Sequence, residues 1–510
     1  TNTKILKCAV MNAIRLLKHR WRFRLYLMSS TTVTQFPDQN RIFILYKLRL
    51  KNFRCFSNLE IPLDPHLTVL IAENGFGKST ILDAIRIGLW PYVSGFDLAR
   101  NAFNDPKNGI AISDARLLTH PSGDMARQLP VHIAIAGDFG NGLKSTWVRY
   151  RDSEVKLSKT KDDSATNSMK KWVSTIQEKI RDPAKPVLDL PVFGNYGTGR
   201  LWAQKRLAEA TKGKDSKQKD DFYVRTFAYM NCLEPASSYK HFKEWFIWAF
   251  ESYREQQIKQ LENKANIDII SAAHERIQVV QKAIDTFLRP ITGWHTLEYS
   301  ISHEKSLVLH HDTLGIMDVD LLSDGIRSVL AMIGDIAYRC IKLNPHLGAE
   351  AALKTSGIIL IDEVDMHLHP RWQQVILGQL REAFPLVQFI VTTHSPQILS
   401  SVDKSCIRVI QGDAVKTIDF QTKGISSADL LARIMDINPI PEIPETVMLS
   451  DYHALIQQNL HEDEDGKAMR QKLEAHFGEN HPLMRECDRM IRLQAFKQQL
   501  PKLPRSKGSE

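Results

Sequence analysis

Leu70-Ile71-Ala72-Glu73-Asn74-Gly75-Phe76-Gly77-Lys78-Ser79-Thr80 decides the reading of this 510-residue chain. The apolar run Leu67 to Ile71 predicts a buried strand. Behind the loop, Ile81, Leu82, Ala84, Ile85 and Leu89 recur at helical spacing. Strand, glycine-bearing loop and helix form the frame in which free backbone N–H groups and a helix N-terminus cradle phosphates. Gly75 and Gly77 let the backbone approach a nucleoside triphosphate, with Asn74 and Thr80 beside them. Lys78 is expected to reach the β- and γ-phosphates and Ser79 to ligate Mg²⁺. The first glycine of the usual pattern is Ala72 here, a methyl that ordinary dihedrals tolerate.

Working outward, Gly357-Ile358-Ile359-Leu360-Ile361-Asp362-Glu363 reads as a buried strand ending in two carboxylates. Asp362 is placed to hold Mg²⁺, and Glu363 to orient or deprotonate an attacking water. Phe389 to Pro396 is a further buried strand, ending at His394. Leu322-Ser323-Asp324-Gly325-Ile326-Arg327-Ser328 precedes an apolar helix from Val329 to Ile341, with Ser323 as its expected cap. Asp365 follows the carboxylate pair.

Taken in this order, the motifs resemble the ABC-type ATPase head of the SMC, Rad50, RecF and overcoming-lysogenisation-defect (OLD) proteins, over roughly residues 42–420. The resemblance implies an α/β P-loop head with a mixed sheet core and an antiparallel β subdomain. It makes Lys78 and Ser79 the phosphate and Mg²⁺ contacts, Asp362 the metal-side carboxylate and Glu363 the catalytic one. Asp365 becomes the D-loop residue, His394 the γ-phosphate sensor, and Arg54 an arginine directed toward the nucleotide. Ser323, Asp324 and Gly325 fall in the signature, although Asp324 and Ile326 depart from the transporter form. No unambiguous Q-loop glutamine stands out; Gln128 or the turn around Asn195 are the alternatives. In such heads the signature completes the site of the opposite subunit. One phosphate loop and one signature per chain therefore imply a head-to-tail homodimer, or a higher even oligomer, around ATP.

Composition bounds the class. Hydrophobic residues make up 43% and charged residues 25%, ordinary for a globular protein large enough for two or three domains. Six dispersed cysteines with no C-x-x-C pair argue for a reducing compartment and against a zinc or disulfide framework. No apolar run is long enough to span a membrane. Most of the +9 net charge lies in residues 1–37, which hold seven Lys or Arg and no acid, leaving +2 for the rest. That stretch could be a nucleic-acid arm, a transit peptide, or residues upstream of a start at Met11 or Met28.

The expected organisation is a basic, poorly ordered extension over 1–40 and an N-lobe with the phosphate loop over 41–200. A helical insertion over 201–292 and a C-lobe over 293–425 follow. A helical, partner-binding region over 426–510 ends in a frayed tail. The Lys/Ser/Asp-rich interval 154–170 predicts a loop. Helices are expected from about His241 to Ala265 and Ile270 to Phe287. The stripe Phe242, Trp245, Phe246, Ala249 and Tyr253 on the first reads as core, the alternative being a stacking platform for nucleic acid.

Ser79 and Ser323 are 244 positions apart, with no sustained heptad repeat, so the long coiled coil of SMC and Rad50 heads is excluded. The 116 residues after His394 turn helical too early for the nuclease domain of the OLD proteins. The acidic run Glu462 to Asp465 reads as a solvated helix end, and His476, Asn480 and His481 lack the strands of a His-Asn-His nuclease. The motif set, with Tyr196-Gly197-Thr198-Gly199-Arg200, is most similar to the compact PtuA ATPases of Septu and retron anti-phage systems. That resemblance implies a cytoplasmic bacterial ATPase regulating a separate PtuB-like HNH nuclease, in retron versions with a reverse transcriptase and its msDNA. The competing readings are a RecF-like DNA-clamping repair ATPase and a self-sufficient OLD-like nuclease.

Overall fold

In the computed structural model of the chain, residues 43–100, 106–140, 144–155, 158–200, 223–235, 238–262 and 267–499 are described. The basic extension over 1–40 and the start of the helical insertion lie outside them. Tertiary contacts divide the chain into two compact units. The first runs to His394 and takes in Ser405–Thr417; the second holds Ser395–Lys404 and the residues from Ile418.

The first unit is an α/β fold with a mixed sheet core. Its central sheet has six strands, in the order Ala414–Lys416, Ile407–Gln411, Leu67–Ile71, Val387–Thr392, Gly357–Ile361 and Val192–Tyr196. The last five pair in parallel; only Ala414–Lys416 is antiparallel to its neighbour. Every residue of Leu67–Ile71, Gly357–Ile361, Val387–Thr392 and Val192–Tyr196 is buried, which is why these strands read as unbroken apolar runs. Parallel pairing puts the residues that follow the phosphate-loop, histidine and acidic strands at one edge, where open α/β sheets bind ligands.

A second, antiparallel sheet orders Phe56–Pro62, Ile44–Phe53, Val131–Asp138, Lys144–Arg151 and Lys161–Asp162. The phosphate-loop helix Lys78–Val93 packs against both sheets. Gly88 on that helix leaves no room for a Cβ beside Ile135, and the Trp147 indole donates to the Gly88 carbonyl at 2.9 Å. A three-stranded antiparallel sheet, Trp294–Ser300, Ser306–His311 and Gly315–Asp318, leads into the signature turn.

The last part of the expected loop over 154–170 is the start of a helix. Ser164–Arg181 starts inside the polar interval, capped by Asp163, whose carboxylate accepts from the Thr166 N–H at 2.8 Å. Its buried face is Thr166, Met169, Val173 and Ile176, a helical spacing hidden among lysines and serines. The two predicted helices span Ser238–Leu261 and Ile267–Thr292. Phe242, Trp245, Phe246 and Ala249 are fully buried, so they are core. Trp245 packs on Tyr338 at 4.8 Å between ring centroids, and Phe242 fills the space above Gly334. Both partners lie on the helix Asp324–Leu343 that begins at the signature.

The second unit holds helices Ser427–Ile434, Pro444–Gln458, Glu464–Phe477 and Pro482–Gln499. Leu449, Tyr452, Ile456, Leu473, Met484 and Cys487 form its own core cluster. The acidic run Glu462 to Asp465 opens the helix Glu464–Phe477, with Asp463 as N-cap and Glu464 and Asp465 in the first turn, where carboxylates suit the dipole. No described helix is long and apolar enough to cross a membrane.

Candidate nucleotide site

Gly75 and Gly77 both have φ near 85°, a left-handed backbone that favours glycine. At Gly77 packing adds a second requirement: a Cβ would lie 2.5 Å from the Phe56 ring and 2.6 Å from the Cys55 Sγ. The hairpin of the antiparallel sheet thus closes directly on the phosphate loop. Gly77 caps the helix Lys78–Val93 with no side-chain bond, and no acidic residue stands in its first turn. The helix therefore presents its N-terminal N–H groups to an anion. Asn74 and Gly75 are exposed at the loop, and Thr80 lies on the first helical turn.

The Lys78 Nζ donates to the carbonyls of Ala72 at 2.8 Å and Glu73 at 3.1 Å, curling the side chain over its own loop. Burial lowers its pKa from the ordinary lysine value, opposed by the charges of Asp362, Glu363 and Asp365. The same three carboxylates act on His394, whose pKa falls below 6.5 through burial first and the nearby Lys78 second. Lysine, three carboxylates and histidine, scattered over more than 300 positions of sequence, thus share one electrostatic neighbourhood. A neutral imidazole offers one donor and one acceptor, the form suited to reading a phosphate oxygen beside a lysine.

The Ser79 hydroxyl donates to Asp362 Oδ2 at 2.7 Å. A hydroxyl and a carboxylate are hard oxygen donors, so this pair fits Mg²⁺. Two residues that sequence reasoning passed over set the carboxylates. The Thr392 hydroxyl donates to Asp362 Oδ1 at 2.6 Å and accepts the Glu363 N–H at 2.8 Å. The Thr393 hydroxyl donates to Asp365 Oδ1 at 2.6 Å. Glu363 has φ of 47°, a sparsely populated conformation for a side-chain-bearing residue, and these bonds hold it there. The signal was legible: Thr-Thr-His ends the strand paired with the acidic one.

Arg54 is engaged elsewhere. Its guanidinium pairs with Asp83 at 2.7 Å and Asp114 at 2.9 Å, linking the hairpin to the phosphate-loop helix. Ser323 sits at the N-cap of Asp324–Leu343, yet its side chain makes no capping bond, contrary to the expectation from sequence. Ser323 and Asp324 are exposed, and Asp324 pairs with Arg327. Gly325 is buried, and a Cβ there would come 2.6 Å from the His367 carbonyl, so the signature turn rests on the segment after Asp365. Gln128 lies beside a short hairpin, Leu117–Thr119 with Met125–Arg127, and donates to the Ala126 carbonyl. Asn195 is buried, bonded to the Leu233 carbonyl, while the carbonyl of its neighbour Tyr196 accepts the Asp362 N–H at 2.8 Å. His369 caps the short helix Pro370–Gln373, and His476 and His481 both lie against Phe477.

Comparison with known proteins agrees with this geometry. The family described as "AAA domain" matches residues 47–285, and a second, described as "AAA domain, putative AbiEii toxin, Type IV TA system", matches 208–400. The chain is 24% identical to the "Retron Ec83 probable ATPase" of Escherichia coli, over 84% of this chain and 83% of that one. It is 25% identical to the "Retron Vc95 probable ATPase" of Vibrio cholerae serotype O1 biovar El Tor, over 86% and 89%. The chain carries an AAA-type ATPase head homologous to the retron ATPases. A shorter match joins it to the "Septu protein PtuA" of Bacillus mycoides strain KBAB4, 45% identical over 75 residues, which are 15% of this chain and 10% of that one. In this head the phosphate loop, the acidic strand and the histidine strand supply the facing side chains. The signature turn of the same head is open to solvent at Ser323 and Asp324.

Proposed function

We propose that this chain binds and hydrolyses ATP as the regulatory subunit of a bacterial anti-phage defence complex, cytoplasmic and similar to PtuA. Two copies pair head-to-tail through their ATPase heads, and the paired state governs an associated PtuB-like HNH nuclease. In a retron setting, a reverse transcriptase and its msDNA join the assembly. The observation that carries this reading is the Ser79–Asp362–Thr392–Glu363 chain of hydrogen bonds, which links the phosphate loop to the Asp362 carboxylate and the Glu363 backbone. The names of the retron and Septu relatives support the setting.

In this reading Lys78 and the helix N-terminus take the phosphates. Ser79 and Asp362 would hold Mg²⁺, which would offset the charge of the phosphates. Glu363, tethered through its own N–H, accepts a proton from the attacking water, and His394 senses the γ-phosphate. Asp365 precedes the segment on which the signature turn rests. Ser323, Asp324 and Gly325 of one copy complete the site of the other.

Glu363→Gln keeps the shape of the site and removes the base. The variant should hold ATP and accumulate as a dimer, with turnover reduced by about two orders of magnitude or more. Size-exclusion chromatography with light scattering in ATP and Mg²⁺ reads the dimer, and phosphate release reads turnover. A Glu363→Gln chain that hydrolyses ATP at the parent rate would remove Glu363 from the chemistry.

A further inference from the structure

The tip of the hairpin formed by Ile44–Phe53 and Phe56–Pro62 presses on the phosphate loop. Phe53 pairs with Phe56 across a two-residue turn, Arg54-Cys55, with Arg54 at φ 49°. The buried Phe56 ring and the Cys55 Sγ fill the space that a Cβ on Gly77 would need. On one side the tip is bound through Arg54, to Asp83 and Asp114. On the other side it is bound by Asp413, 356 positions beyond Ser57 in the chain. Asp413 Oδ1 accepts the Ser57 N–H at 2.7 Å and the Asn58 N–H at 3.3 Å, and its Oδ2 accepts the Ser57 hydroxyl. Burial alone would raise the Asp413 pKa, but these bonds outweigh it and hold the carboxyl below its ordinary value.

The sheet that carries the phosphate loop also places Asp413. The residue follows Gly412, at φ 58°, in the two-residue turn between Ile407–Gln411 and Ala414–Lys416. Ile407–Gln411 pairs in parallel with Leu67–Ile71, the strand that leads into the loop. From the same strand the buried Arg408 donates to the Pro62 carbonyl at 2.8 Å, so Phe56–Pro62 is tied to this turn and strand at both ends. The contacts close a ring. It runs from Leu67–Ile71 through the loop to Gly77, across to Phe56, on through Ser57 to Asp413, and back along Ile407–Gln411. A binding loop ordered in advance spares the ligand the cost of ordering it, which appears as affinity.

We propose that Asp413 is a positioning residue of the nucleotide site: by holding Ser57 it keeps Phe56 and Cys55 against Gly77, and so presets the phosphate loop for ATP. This rests on the ATP-binding reading above and adds a residue that acts through the hairpin tip, not on the phosphates. The bonds that set the carboxylates run from Ser79 through Asp362 and Thr392 to Glu363 and do not pass through that tip. Asp413 therefore governs the affinity for ATP and leaves the chemical step to the other side of the site. The residue is exposed, so its bonds are worth less than those of a buried carboxylate, and the effect on affinity is moderate.

The test uses the full chain with Asp413→Ala, Asp413→Asn and Ser57→Ala. Titration with a fluorescent ATP analogue and Mg²⁺, well below the melting temperature, gives Kd and the fraction of chains able to bind; phosphate release gives kcat and KM. Asp413→Ala should raise Kd and KM about tenfold and leave kcat within about twofold of the parent. Asp413→Asn keeps an oxygen that accepts both N–H groups and should recover most of the affinity. Ser57→Ala removes only the hydroxyl bond and should raise Kd about threefold, which keeps the test open if Asp413→Ala does not fold. A merely structural role would lower the melting temperature or the competent fraction and leave the Kd of the folded chain at the parent value. That result, or a loss confined to kcat, overturns the proposal while the ATP-binding reading stands. A parent chain that binds no ATP overturns both.

Discussion

Thr392 carries more of the site than its position in an apolar strand suggests. Its hydroxyl serves one carboxylate as donor and the next residue's N–H as acceptor, so Asp362 and Glu363 move as a unit. Without it, Glu363 at φ of 47° loses the side-chain bond to its backbone N–H. Thr392→Val keeps the shape and deletes the hydroxyl. Lys78 and the helix N-terminus still take the phosphates, so KM for ATP should change by only a few-fold, while kcat falls by about a hundredfold. Thr392→Ser should restore most of it, because the hydroxyl and not the methyl makes both bonds. Equal losses in kcat and ATP affinity would mean that the threonine serves binding, not the placement of the carboxylates.

At the scale of elements, legibility followed the distance over which the forces act. The phosphate-loop, acidic and histidine strands were readable because each is buried on both faces and ends in a polar group, a local pattern. The aromatic stripe on Ser238–Leu261 was readable as core by spacing alone. Ser164–Arg181 was not, because lysines and serines on three sides outweighed the four buried positions that make it a helix. The ties that assemble the site were also hidden, since nothing local encodes them. The Tyr196 hydroxyl donates to Asp335 Oδ2 at 2.7 Å across 139 positions, and Arg339 binds the same oxygen at 2.8 Å. All three are buried, and they join the signature helix to the strand beside Asp362. Among the described residues Asp335 Oδ1 has no hydrogen-bond partner, so Asp335 has little to spare. Tyr196→Phe should cost about 1–3 kcal/mol in equilibrium denaturation. A variant as stable as the parent would show that Arg339 alone suffices for the carboxylate.

At the scale of the whole molecule, the chain folds as two units with separate cores. The head is built around two sheets, and the second unit around the cluster of Leu449, Tyr452, Ile456, Leu473, Met484 and Cys487. Separate cores predict separate melting, because cooperativity follows shared buried surface. Calorimetry of the full chain should resolve two transitions. ATP with Mg²⁺ binds only the folded head, so at about a hundredfold excess over Kd it should add about 2.7 kcal/mol to that transition and leave the other in place. Leu473→Ala, at a fully buried position, should do the reverse, lowering only the second transition by about 2–5 kcal/mol. One transition displaced by both treatments would mean that nucleotide binding and the C-terminal helices belong to a single cooperative unit.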